Sequence, residues 1–171
     1  MKSAEWGALL YLKASDFKYP EKLDASIVRA LDRFIGIIGA RPQILSDVRP
    51  GDSGQHGKGR AIDTAWPGLD GQTINAKAIA SRLFSGIGVY VNEAGAVSHH
   101  FDTRTGRTFT NPATWGGIIT HPYDESTNEH VRRTEYVGMS IVLDIIKKKG
   151  LPLIIALILS GLILWRLSEK T

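Results

Sequence analysis

The stretch SDVRPGDSGQHGKGRAID, residues 46–63, decides how the rest of this chain is read. It sets His56 and several charged side chains among glycines at 51, 54, 57 and 59, between two short apolar runs. Glycine admits tight turns and close backbone approach, so the stretch reads as a loop that gathers side chains around a ligand. It runs out into Ala61-Ile62-Asp63-Thr64-Ala65, a predicted strand. Because strand side chains alternate, Asp63 shares a face with Ala61 while Ile62 turns toward a core. A carboxylate at the mouth of a glycine-rich loop, after a histidine in that loop, points to a metal site.

Upstream, residues 1–22 hold a short amphipathic piece and a polar loop closed by Pro20. Residues 23–39 form the clearest helix, with Ile27, Val28, Leu31, Phe34, Ile35 and Ile38 on one apolar stripe. Asp24 or Ser26 caps its start and Gly39 ends it. A short strand at 42–46 leads into the loop. Downstream, the turn WPGLDGQ precedes a second helix over 73–84, with Ile74, Ala78, Ile79 and Leu83 as its stripe. Residues 86–92 and 97–103 read as two strands joined by a turn at 93–95. On the second strand His100 and Asp102 share a face and Phe101 takes the other. The segment RTGRTFTNPATWGG follows, and the globular part is expected to end near Ile119. The fold class is α+β: a small antiparallel sheet with flanking helices, over residues 1–119.

Residues 120–136 are polar and without periodicity, and read as a linker. The remainder, 137–171, holds a moderately amphipathic segment, then Lys147-Lys148-Lys149, then an unbroken uncharged run at 151–165. At 1.5 Å per residue that run spans roughly 22–25 Å, a little short of a ~30 Å hydrocarbon core. Snorkelling lysines on one side and Trp165-Arg166 on the other make up the difference. The expectation is a single-pass membrane protein with a C-terminal anchor, meeting the bilayer through residues 150–166. The lysines before the span favour a globular part facing the cytoplasm. No secretory leader is expected at the start, where residues 6–12 are too short an apolar run and Glu5 stands in place of a positive charge.

Composition narrows the chemistry. The 171 residues include no cysteine, which excludes a disulfide framework and a thiolate zinc site. A metal must be held by histidine and carboxylate. The net charge of +4 suits contact with an anionic wall or lipid surface. Basic and aromatic residues are not interleaved, so no nucleic-acid partner is expected. Of the five histidines, His121 and His130 sit in the polar linker and read as solvated. His56, Asp63 and His100 make a three-ligand set, the number a catalytic zinc takes while leaving a position for water. The competing reading is of ordinary turn and strand-end polar residues.

HGKGRAID fits H-x-x-G-x-A-x-D through His56, Gly59, Ala61 and Asp63. This resembles the first zinc motif of the D-alanyl-D-alanine carboxypeptidase and murein endopeptidase family of zinc peptidases. A helix ending in Gly and followed by QILSDVR resembles that family's lead-in to a substrate-binding arginine, here Arg49. GIGVYVN followed by HFDTR resembles the later strand pair carrying the last ligand, here His100. The likeness covers roughly residues 14–116. It implies Zn2+ held by His56, Asp63 and His100, and Arg49 gripping an oxygen of the peptide stem, where a guanidinium fork suits bidentate contact. Asp102, one pleat from His100, stands as either its supporting partner or the general base. Two departures stand out. The family often has Ser two residues before the first His, where this chain has Gly54, and many members carry a carboxylate or His where this chain has Val97 and Ser98. The base is therefore open, with His99 a further choice. Arg104, Arg107 and Trp115 are candidates for the cleft wall, or for plain surface.

The resemblance implies zinc-dependent hydrolysis of peptide bonds in bacterial peptidoglycan, as an endopeptidase or a D,D-carboxypeptidase acting on peptide stems. With a C-terminal anchor, a bacteriophage lytic enzyme fits. The alternative is a non-catalytic wall-binding or structural virion membrane protein that keeps the fold.

Overall fold

The computed structural model describes residues 3–120, 123–124, 129–130 and 133–148. In chain order its elements are α1 (Ser3–Trp6), α2 (Ala25–Ile38), β1 (Gln43–Ser46), β2 (Ala61–Ala65), α3 (Gly71–Ser81), β3 (Gly86–Asn92) and β4 (Val97–Asp102). They continue with β5 (Ala113–Thr120), β6 (Tyr123–Asp124), β7 (Glu129–His130), β8 (Arg133–Val137) and α4 (Met139–Lys148). The chain is α+β, as its alternation of helical and strand periods predicts.

Local chemistry sets the helix ends. The Asp24 carboxylate accepts the Ser26 backbone N–H at the start of α2, and Gly39 closes it with φ of 78°. Asp70 caps α3 in the same way through Thr73. The stripe on α2 is buried from Ile27 to Ile35 and half-buried at Ile38, with Phe34 fully enclosed against Trp66, Phe84 and Phe101. Buried Asp32 uses its carboxylate to accept the backbone N–H groups of Leu10, Tyr11 and Leu12, which ties the N-terminal segment to α2.

Six strands form one sheet in the order β1-β2-β4-β3-β5-β8. The expectation of an antiparallel sheet is corrected: the sheet is mixed, because β5 runs parallel to β3. The loop at 103–112 steps across the end of β3, so β5 starts beside the strand that began the hairpin. The sequence hides β5 because it opens after Asn111-Pro112 and carries Gly116-Gly117, residues that ordinarily weaken a strand. The glycines answer a packing need. A Cβ on Gly116 would press on Val142 of α4 at 2.6 Å, and one on Gly117 would press on the Tyr90 ring at 2.7 Å.

The linker expected over 120–136 needs a second correction. Residues 133–137 are β8, paired antiparallel with β5. Helix α4 then folds back onto the sheet, burying Val142 and Ile145 against Val89, Val91 and Ile118. The Gln72 side-chain amide donates to the Leu143 carbonyl, linking α3 to α4. The polar look of 120–136 misled because an edge strand needs few apolar residues. The globular part therefore extends beyond Ile119.

Pleating separates the sheet into two faces. Ile62, Ile87, Val89, Val91, His99, Phe101 and Ile118 point to the helices. The residues between them, Asp63, Tyr90, His100 and Trp115 among others, point to an open cleft. The apolar run at 151–165 lies outside the described residues, as do the side chains of His121 and His130. Among the described residues no helix is long and apolar enough to cross a membrane.

Candidate metal centre

The loop at 47–60 and two central strands build the centre. Gly59 has a positive φ of 68°, and a Cβ there would drive into the Lys22 carbonyl, so this turn of the loop requires glycine. A Cβ on Gly57 would overlap the Asp52 carbonyl. Folded this tightly, the loop carries His56 under the sheet edge, where the ring is buried. Asp63 on β2 lies directly across from His100 on β4. The three side chains meet: His56 Nε2 is 3.1 Å from Asp63 Oδ1 and 3.2 Å from His100 Nδ1, and His100 Nδ1 is 2.9 Å from Asp63 Oδ1.

The partners of the other ring nitrogens fix what these atoms are. His56 Nδ1 lies 2.5 Å from the Asp47 backbone carbonyl, which can only accept, so Nδ1 carries the proton and Nε2 presents a bare lone pair. His100 Nε2 lies 3.0 Å from the Asp102 carboxylate, so it donates, and the neutral ring leaves Nδ1 bare as well. Two bare nitrogens and a carboxylate oxygen then converge on one point with no donor among them. Such an arrangement calls for a cation. Ligands at about 2.0–2.1 Å from a tetrahedral zinc stand roughly 3.3 Å apart, close to the separations found here. The set His56, Asp63 and His100 can hold a metal ion, and the carbonyl and carboxylate behind the rings are the supports that metal-binding histidines ordinarily have.

The electrostatics agree. Burial would raise the Asp63 carboxyl, but hydrogen bonds with His100 and His56, and their charge, hold it well below the usual carboxylate range. Burial opposes charge on His100, yet Asp102 and Asp63 on either side push its pKa upward, the same negative surroundings that would favour a cation there. Asp102 is fully buried and doubly engaged: burial is outweighed by His100 and Arg104, and its pKa falls to about 2.

The sequence candidates separate cleanly. Arg49 lines the cleft, with its guanidinium on Asp63 Oδ2 and its Nε donating to Ser46 Oγ at 3.0 Å. Asp102 lies behind His100 and does not line the cleft. A general base must reach the proton it takes. Of the two roles weighed for Asp102, that of base does not fit this position, and that of holding His100 does. His99 is on the helix face of the sheet, buried, with Nε2 donating to the Gly71 carbonyl at 3.1 Å. Burial pushes its pKa down to about 4, and it too is remote from the cleft. Arg104 and Trp115 do line the cleft, and the guanidinium stacks on the indole at 4.6 Å.

The cleft encloses about 980 Å³ along the open face and takes in residues from β8, Thr134 and Tyr136. Sequence reasoning passed over Tyr136 as linker and Tyr90 as an ordinary strand residue. Tyr90 accepts a 2.7 Å hydrogen bond from Trp115 Nε1. Burial pushes its pKa up to about 12, the Trp115 bond opposes the rise, and the charges of Tyr136 and Asp63 and a hydrogen bond with Tyr136 add to it. A signal for the pair existed in the register of G-x-Y on β3 with W-x-G on β5, where each large ring faces a glycine. Comparison with protein-family models, curated protein sequences and solved structures finds no match to this chain.

Proposed function

We propose that this chain is a zinc peptidase that cuts peptide bonds in the stems or cross-links of bacterial peptidoglycan, anchored to a membrane through its apolar C-terminal run. The observation that carries the reading is the convergence of His56 Nε2, Asp63 Oδ1 and His100 Nδ1, all acceptors, on the floor of an open cleft beside Arg49.

Zinc held by these three residues would supply Lewis acidity and lower the pKa of a water. The chain's own residues do the rest. The Asp47 carbonyl and Asp102 keep the two imidazoles in the tautomers that face inward. Arg104 holds Asp102 with its Nε and Nη2, the latter at 2.5 Å, so the support is itself rigid. Arg49 straddles Asp63 and the cleft, where its remaining donors suit a carboxylate or carbonyl oxygen of the stem. The cleft's openness along the sheet fits an extended peptide better than a compact metabolite.

A second reading has its own observation. Val97 and Ser98 line the cleft, and among the described lining residues no carboxylate or imidazole stands beyond the three ligands. That favours a wall-binding or structural virion membrane protein that keeps the zinc site without turnover. The full chain, incubated with purified peptidoglycan, separates them. Hydrolysis lost on chelation and in His56→Ala is the expected result. Bound zinc without hydrolysis selects the second reading, and absence of bound zinc rejects the two together.

A further inference from the structure

The aromatic pair beside the metal centre is built with unusual care. Gly88 on β3 stands opposite Trp115 on β5, and Tyr90 stands opposite Gly117. A Cβ on Gly88 would lie 2.5 Å from Trp115 Nε1. Each ring therefore lies over a glycine of the neighbouring strand, in space that a side chain there would fill. Trp115 is further held between the His100 ring, 5.2 Å away, and the Arg104 guanidinium. Its indole N–H, which can only donate, is spent on Tyr90 Oη at 2.7 Å. The Tyr90 oxygen thus accepts from Trp115, and its own proton must point elsewhere. Tyr90 lines the same cleft as the three ligands, where its hydroxyl interacts with that of Tyr136, so a bound molecule would take Tyr136's place as the acceptor. Arg49 is anchored on Asp63 and Ser46, at the end of the cleft that suits a stem oxygen, and Arg104 is engaged with Asp102.

We propose that Tyr90, aimed by Trp115, is the hydrogen-bond donor that the cleft presents to the acyl oxygen of the peptide bond being cut. This rests on the peptidase reading above. The hydroxyl keeps its proton throughout, so its work is to stabilise negative charge gathering on that oxygen, and no bond to Tyr90 forms or breaks. Tyr136, which also lines the cleft, is the side chain the Tyr90 hydroxyl bonds with when no peptide is bound.

The test uses the full-length zinc-loaded chain with soluble muropeptides and a phosphinate analogue of the dipeptide. Tyr90→Phe is expected to lower kcat by about 100-fold, the typical loss of one oxyanion donor, with KM within a few-fold. It should weaken phosphinate binding by a similar factor, while zinc stoichiometry and Tm stay as in the parent. Trp115→Phe should give a smaller loss in the same direction, because the hydroxyl is present but no longer aimed. Unchanged turnover in Tyr90→Phe, a loss carried by Tyr136→Phe instead, or loss of zinc along with activity in Tyr90→Phe each overturn the assignment while the peptidase reading stands. A parent chain that neither cleaves muropeptides nor binds the phosphinate overturns the peptidase reading, and the assignment with it.

Discussion

The two faces of one sheet have been put to opposite uses. His99 and His100 are neighbours in sequence, yet pleating sends one into the helices and the other into the cleft. On the helix side Phe101, Ile62 and Ile87 lock against α2 and α3, and His99 is held neutral with its Nε2 on the Gly71 carbonyl. On the cleft side the same strands offer Asp63, His100 and Tyr90, and glycines at 88 and 117 leave room for the rings. Packing fixes the first face, and polar partners fix the second. Stability should therefore answer to one face and metal binding to the other.

The largest effect is expected from cutting the chain after residue 120. That removes β8 and α4 and exposes Val89, Val91 and Ile118 to water. Losing Val142 and Ile145 from this core would each be worth about 1–5 kcal/mol, a large share of a total near 5–15 kcal/mol. The truncated chain should lack a cooperative thermal transition; a parent-like Tm would show that the second core is dispensable. Next, Phe34→Ala should cost about 3–5 kcal/mol in denaturant titration without changing zinc affinity once the chain is folded. His100→Ala should do the reverse, abolishing zinc binding at a small cost in the metal-free chain. Exchange of these two outcomes would break the contrast between the faces.

A pH titration sharpens it further. His99 has a folded pKa of about 4 against 6.5 for an ordinary histidine, so the unfolded chain takes up its proton first as pH falls. Stability from this group is whole above about pH 6.5 and lost progressively toward pH 4, on the order of 3 kcal/mol in all. His99→Gln should flatten that part of the stability curve, and an unaltered slope would mean another group carries it. The smallest effect is expected from Asp102→Asn. Its amide can still meet His100 but no longer carries the charge that orients the ring, and zinc affinity should drop by about 10–100-fold. An affinity equal to the parent's would remove Asp102 from the account.

Much of the cleft face was legible because its signals are short-range. The spacing from His56 to Asp63 lies within one loop and one strand, and the period of β4 puts His100 beside Asp102 by simple alternation. Helix α2 declared itself through its stripe and caps. What stayed hidden depended on distant partners. Gly116 and Gly117 look like strand breakers until Val142 and Tyr90 are seen pressing on them. Residues 133–137 look like linker until β5 supplies the hydrogen bonds their own side chains do not advertise. Asp102 read equally as base or support, because period alone says which face it shares and not how deeply it is buried.

The claim on which the rest depends is that three acceptor atoms converge to hold one metal ion. Zinc titration of the metal-free full-length chain by calorimetry tests it most directly. One zinc per chain is predicted, accompanied by a rise in Tm, with binding abolished in His56→Ala, Asp63→Ala and His100→Ala alike. A parent chain that binds no zinc, or variants that bind it as the parent does, would contradict the account.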